Sequence, residues 1–262
     1  MQERHQDRNQ YFKEQGITTE KYVIPYIESV KEFDKNAFIL EVGCGEGGNL
    51  APFLNRGCKV YGIELLQNQF LQANLFYKDH PYKENLKLIN ANIYDIVAED
   101  IPTFDIIFMK DVIEHIPDQL SFLNFLKQFL KKDGIIFFGF PPWRMPFGGH
   151  QQVCKSILSK IPYFHILPVF IYKNILKNFG ENDLAIKEFL EVKETGLSIS
   201  NFHKILNLNN YKILKETYWF INPNYEIKFG LKPRSVFEVL RIPWFCDFYT
   251  TAIYCVVGLD QK

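Results

Sequence analysis

Phe38-Ile39-Leu40-Glu41-Val42-Gly43-Cys44-Gly45-Glu46-Gly47-Gly48-Asn49-Leu50 decides the reading of the whole chain. A short apolar run enters a glycine-rich turn and then a helical pattern. In such a strand–turn–helix unit, a nucleotide-type ligand lies against bare backbone. Glycine suits the turn because a Cβ would block close approach of the ligand. Gly43, Gly45 and Gly48 satisfy the G-x-G-x-x-G spacing, so a dinucleotide site is weighed first. Charge opposes it. Glu41 stands two residues before the first glycine and Glu46 stands inside the loop. A pyrophosphate there would meet two carboxylates where it wants amides and a positive helix end. A ligand with a cationic amino group and no phosphate suits the loop better.

S-adenosylmethionine is such a ligand. The stretch resembles motif I (E/D-x-G-x-G-x-G) of the class I S-adenosylmethionine-dependent methyltransferases, matched by Glu41, Gly43, Gly45 and Gly47. The resemblance covers roughly residues 35–140, with a weaker fit at the last two strands. It implies that Glu41 and the backbone of Gly43, Cys44, Gly45 and Gly47 hold the methionine end of the cofactor. The next strand, 58–63, ends at Glu64, 23 positions beyond Glu41 (41 to 64). An acidic residue at this tip is placed to accept from both ribose hydroxyls, with Leu65 beside it. The following strand, 85–90, runs into Asn90-Ala91-Asn92-Ile93. The family usually has an acidic residue here, facing the adenine amino group. Asn92 stands in its place, able to accept through its amide oxygen, and Ile93 would lie against the adenine face. Phe104-Asp105 and Asp111-Val112-Ile113-Glu114-His115-Ile116-Pro117-Asp118 resemble the "FDxVxxxxVxEHxxD" segment of methyltransferases that act on small molecules, among them the ubiquinone-pathway O-methyltransferases. That segment brings Lys110 and Asp111 to the cofactor side.

Strand and helix patterns alternate, and the strands are near-continuous apolar runs, which marks a parallel sheet covered on both faces. Crossover handedness then restricts the topology. The expected fold is α/β: a doubly wound Rossmann-like sheet, seven-stranded and mostly parallel, with helices on both faces and a lid insertion after strand five. Helices are expected over 49–55, 66–77, 119–132 and 199–208. Strand four is expected over 104–109, strand five over 135–140 (opened by Gly134), strand six over 212–220 and strand seven over 250–259. The resemblance implies that strand seven lies antiparallel between five and six. One methyltransferase domain spans 1–262. It divides into an N-terminal helical cover (1–35), a cofactor-binding core (36–140), a lid and substrate insertion (141–196) and the C-terminal part of the sheet (197–262). In the cover, a helix over 20–30 is expected, capped by Thr18 or Thr19, with Pro25 near its first turn.

Methyl transfer from a sulfonium needs alignment and a dry cavity, with a general base where the acceptor hydroxyl is not acidic. Gly148-Gly149-His150-Gln151-Gln152 offers His150 as that base, just beyond strand five. Asp111, Glu114 and His115 could offer oxygen and nitrogen to a divalent cation. No metal is expected, because one short turn rarely aims three side chains at a point. Phe140-Pro141-Pro142-Trp143 echoes the [D/N]-P-P-[Y/F/W] motif of enzymes that methylate nucleic-acid amines. It follows strand five rather than four and lacks the acceptor, so it reads as a rigid strand exit with Trp143 as a pocket wall. Residues 161–172 are very apolar for an insertion. They suit core packing, a lid over an aromatic or lipid-like substrate, a dimer contact or a membrane-surface dock.

The 262 residues carry 30 Lys plus Arg against 30 Asp plus Glu, a formal charge of zero. No nucleic-acid partner is therefore expected, and Lys228, Lys232, Arg234 and Arg241 read as solvated surface. Five scattered cysteines without a C-x-x-C pair suggest reduced thiols and a cytoplasmic protein. Residues 1–8 are too polar for a signal peptide. No run reaches the ~18–20 apolar residues of a membrane span, which leaves peripheral membrane contact open. The expected function is transfer of a methyl group from S-adenosylmethionine to a small-molecule acceptor, aromatic or lipid-like, leaving S-adenosylhomocysteine. An NAD-type oxidoreductase and a non-catalytic S-adenosylmethionine-binding adaptor are the rivals. The acceptor's identity and the oligomeric state are left open.

Overall fold

The computed structural model describes residues 7–260. Helix α1 (Arg8–Thr18) is capped by Asp7, whose side chain accepts from the Gln10 N–H. A π turn, Thr19–Val23, joins α1 directly to α2 (Ile24–Glu28). The expected cap at Thr18 or Thr19 is thus corrected to Asp7, and the helix begins earlier than residue 20. The Thr18 hydroxyl donates to the Glu14 carbonyl inside the helix. The wider turn, closed by the Ile24 N–H on the Thr19 carbonyl, carries the chain into Pro25, which has no N–H to give.

The sheet follows with β1 (Phe38–Val42), α3 (Ala51–Asn55), β2 (Lys59–Glu64), α4 (Gln67–Phe76), β3 (Leu86–Asn90), β4 (Phe104–Lys110), α5 (Gln119–Leu126) and β5 (Leu130–Phe140). Next come α6 (Val169–Asn178), α7 (Asp183–Thr195), α8 (Ile199–Leu208), β6 (Tyr211–Ile221), α9 (Asn224–Phe229), β7 (Arg234–Ser235) and β8 (Ala252–Leu259). Spatial order is β3-β2-β1-β4-β5-β8-β6-β7. The first five pair in parallel. The strand expected as the seventh is β8, and it lies antiparallel between β5 and β6 as anticipated. The two-residue β7 on the edge makes the count eight rather than seven.

Alternation along the strands divides the core. Leu40, Val42, Ile107, Met109, Phe138 and Phe140 face α5 and α8. Ile39, Ile106, Phe108 and Phe137 face the N-terminal helices and α3. By the same period of two, Glu41 belongs to the second face. Helix α5 ends at Leu126 rather than 132, and a 3-10 turn, Lys127–Phe129, leads into β5. Leu130 pairs with Phe104, so the last residue of the helical apolar pattern goes to the sheet, and Phe129 stays in the turn. Gly134 lies within β5 instead of opening it.

Both long insertions leave the carboxyl-end side of the sheet. The first carries its own small core of Cys154, Leu158, Phe164, Tyr172, Leu176, Ile186 and Phe189. The apolar run 161–172 is therefore split: Phe164, His165 and Tyr172 are buried while Val169, Phe170 and Ile171 are exposed. The second insertion exposes Phe237, Val239, Trp244 and Phe245. All five cysteines are buried, and none forms a disulfide. Among the described residues, no helix is long and apolar enough to cross a membrane.

Candidate active site

Strand order reverses between β1 and β4, where open α/β sheets leave a crevice at the carboxyl ends of the strands. A cleft of about 370 Å³ lies there, lined by the glycine loop, Asn49, Gln69, Lys110, Asp111 and Val153, and by Arg8, Tyr11 and Gln15 of α1. A hollow of about 500 Å³ between Lys31 and Lys131 sits instead where strands begin, away from any loop cradle.

The loop is built from positive-φ glycines at 43, 45 and 47. Much of the room they leave is taken by the protein itself. A Cβ at Gly43 would meet Val112 at 2.7 Å, and one at Gly48 would meet the Phe12 carbonyl and Gln15 Oε1 at 2.6 Å. At Gly45 the nearest atom is the flexible Gln69 side chain, at 3.1 Å. The Cys44 thiol turns inward against Gly62.

Glu41 is buried; Oε1 accepts from Asn49 Nδ2 at 2.8 Å and Oε2 has no partner. Asn49 in turn accepts from the Thr19 hydroxyl at 2.8 Å, which ties the N-terminal helix to the motif. Burial pushes the Glu41 carboxyl well above its ordinary range, against the pull of Asn49 and Lys110. Glu46 is also buried, with Oε1 2.6 Å from Arg8 Nη1 and Oε2 unpartnered. Burial raises its carboxyl too, opposed by Arg8.

Glu64 accepts from the Gly45 N–H at 2.7 Å and from the Leu66 N–H at 2.8 Å, one bond on each carboxylate oxygen. It therefore braces the loop, with one lone pair per oxygen still to offer. Leu65 is exposed beside it. Asn92 is exposed and accepts from the Tyr94 N–H at 3.1 Å, capping a short turn, while Ile93 is buried beneath. Asp111 holds a left-handed backbone (φ 58°), fixed by its N–H on the Gly139 carbonyl at 2.7 Å. Burial raises the Asp111 carboxyl, but Lys110, 3.0 Å away, outweighs it and holds it below the usual range.

His150 does not line this cleft. It lies in an adjoining cavity of about 350 Å³ with His115, Phe189 and Val192, and Val153 borders both spaces. The His150 and His115 rings meet edge to face, centroids 4.8 Å apart. Burial, then His115, lowers His150 to about 4, so the ring is neutral near pH 7. Ligand atoms of Glu114, His115 and His150 lie within 4.8 Å of one another, and both Glu114 oxygens are buried without partners. That donor set could hold a divalent cation; it differs from the expected turn cluster because His150 joins it and Asp111 does not. The Trp143 ring packs on His165, centroids 4.6 Å apart, and its backbone N–H donates to the Leu197 carbonyl; Trp143 is not among the residues lining the cleft.

Sequence reasoning missed Arg8, Tyr11 and Gln15 as cleft residues. Their only trace is a spacing of three and four, which puts them on one helix face. A methyltransferase-domain family model matches residues 40–138. A ubiquinone biosynthesis O-methyltransferase of Hydrogenovibrio crunogenus is 35% identical over 115 residues, 43% of this chain and 46% of that protein. One of Pseudomonas putida is 23% identical over 204 residues, 78% of each chain. The first alignment thus spans under half of its relative. A geranyl diphosphate methyltransferase solved with S-adenosylmethionine superposes with a TM-score of 0.55 at 13% identity, over 91% of this chain and 83% of that one.

Proposed function

We propose that this chain, a class I S-adenosylmethionine-dependent methyltransferase acting on a small molecule, methylates an oxygen of an acceptor with an aromatic or lipid-like body. The observation that carries the donor site is the pair of buried, unpartnered oxygens, Glu41 Oε2 and Glu46 Oε2, at the glycine loop. They favour a cationic ligand and oppose the pyrophosphate of a nicotinamide dinucleotide.

In this reading Glu41 accepts from the α-amino group, and the backbone of Gly43, Cys44, Gly45 and Gly47 follows the methionine chain. Glu64 takes the ribose hydroxyls with its remaining lone pairs, Leu65 and Ile93 flank the adenine, and Asn92 meets its amino group. Lys110 and Asp111 close the sulfur side. The cofactor supplies an activated methyl; the chain aligns the acceptor and excludes water. His150, neutral near pH 7, accepts the acceptor's hydroxyl proton.

The oxygen is favoured by the O-methyltransferase relatives. The apolar body is favoured by the exposed side chains on the two insertions, Phe170, Phe237 and Trp244 among them. Through the same rim the chain would touch a membrane surface peripherally, with its reduced thiols at home in the cytoplasm. Calorimetry with S-adenosylhomocysteine, then product release on phenols and catechols with and without an aliphatic tail, tests the reading. Saturable binding and faster turnover of tailed acceptors are expected. No S-adenosylhomocysteine binding refutes it; binding without turnover on any acceptor favours the adaptor.

A further inference from the structure

We infer that α7 is the wall that selects the acceptor: Phe189 and Val192 seat an aromatic ring beside His150, and Glu188 with Glu191 favour a positively charged substituent on that ring, as in an arylalkylamine. The inference rests on the methyltransferase reading above and narrows its acceptor.

The cavity that adjoins the donor cleft measures about 350 Å³. That is the small end of the roughly 300–1,000 Å³ of ligand pockets, so it suits one ring with a short side chain. His115 lines it from the turn after β4, His150 from the first insertion, and Glu188, Phe189, Glu191 and Val192 from α7. Spacings of three and four put those four on one face of the helix. The helix is pinned there: the Thr195 hydroxyl at its end donates at 2.6 Å to the Glu114 carbonyl, in the turn that carries His115. Phe189 and Val192 are buried while Glu188 and Glu191 are exposed, so the floor of the cavity is apolar and its solvent end acidic.

Charge in the cavity is one-sided. Among the described residues lining it, none is Lys or Arg. Burial holds both histidines below their ordinary range, His150 at about 4, so the imidazoles are neutral near pH 7. Lys193 Nζ is engaged by the His165 carbonyl at 2.7 Å. Lys187 stands 3.7 Å from Glu191, both mostly exposed, where solvent screens the pair. Deeper in, Glu114 is 5% exposed with both oxygens unpartnered, and a carboxyl oxygen lies within 4.8 Å of ring nitrogens of His115 and His150. The cavity thus offers accepting oxygens at its depth and two carboxylates at its solvent end. A cationic substituent gains from both, and an anionic one is repelled.

Three phenols of one ring and near-equal length carry the test: tyramine is cationic, 4-ethylphenol neutral and 4-hydroxyphenylacetate anionic. Each is titrated by calorimetry into the full chain saturated with S-adenosylhomocysteine. Tyramine is expected to bind on the order of 10-fold more tightly than 4-hydroxyphenylacetate, with 4-ethylphenol between them. Glu188→Gln combined with Glu191→Gln brings the two charged ligands to within about twofold of each other, with S-adenosylhomocysteine affinity at its native value. Equal affinities for the three phenols, tightest binding of 4-hydroxyphenylacetate, or the native ratio retained in the double variant overturns the inference. So does a chain that binds S-adenosylhomocysteine and none of the phenols. Failure to bind S-adenosylhomocysteine removes the methyl-donor reading first and this inference with it.

Discussion

Replacing Glu64 by alanine separates bracing of the loop from binding of the donor. Its carboxylate receives the Gly45 N–H at 2.7 Å and the Leu66 N–H at 2.8 Å, and the side chain is 6% exposed. A hydrogen bond to a charged group contributes about 1.5 to 3 kcal/mol. Losing two, with water entering to replace part of the loss, costs about 3 kcal/mol. For a chain of this size that lowers the melting temperature by about 6 to 12 °C. The ribose hydroxyls would use the lone pairs left over, so S-adenosylhomocysteine affinity falls by a further one to two orders of magnitude. Thermal unfolding gives the first quantity, and calorimetry well below the variant's melting point gives the second. A less stable variant that binds S-adenosylhomocysteine as tightly as the native chain would refute the ribose role and leave Glu64 a brace alone. Unchanged stability would refute the geometry itself.

Glu41→Gln removes a buried charge that burial already disfavours, so the ligand-free protein melts higher while S-adenosylhomocysteine binds more weakly; scanning calorimetry and titration read the two opposite signs. His165 is fully buried, and burial lowers it to about 4 against an ordinary value near 6.5, despite the Trp143 carbonyl at 2.8 Å. Between those values the unfolded chain takes up a proton that the folded chain refuses. Stability is therefore full above pH 6.5 and is lost as pH falls toward 4, by up to about 3 kcal/mol from this residue. Denaturant midpoints across that window check the slope, which His165→Leu should flatten. His150→Gln should lower turnover by about 10²- to 10⁴-fold with S-adenosylhomocysteine affinity unchanged, and an unaltered rate removes His150 as the base.

The sheet was legible because its strands are continuous apolar runs punctuated by glycine and acidic ends; β1 to β4 fall within a residue of where the pattern put them, while β5 begins at Leu130 rather than 135. Helical spacing through Phe129 and Leu130 carried the expected helix to 132, yet Phe129 ends a 3-10 turn and Leu130 goes to the sheet. Ladder pairing with Phe104 decided the matter. Site residues were legible when they lie within a motif: Glu41, Gly45 and Glu64 meet across a few ångströms because strand ends adjoin. Arg8 and Gln15 reach the same cleft from far upstream, by packing of α1 on Gly48, and no local pattern encodes that approach. The meeting of His115 with His150 is likewise made by the insertion's fold and not by either segment.

The π turn sets the angular phase between the two halves of the N-terminal helix. One extra residue per turn rotates everything upstream by about 100° relative to an uninterrupted α-helix. With the turn in place, Arg8, Tyr11 and Gln15 look onto the glycine loop while Ile24 and Ile27 look into the core. A single-residue deletion between 19 and 23 would keep both helices and their composition, yet swing the polar face off the loop. The length of this connection is thus as much a determinant of the cleft's chemistry as the side chains it delivers.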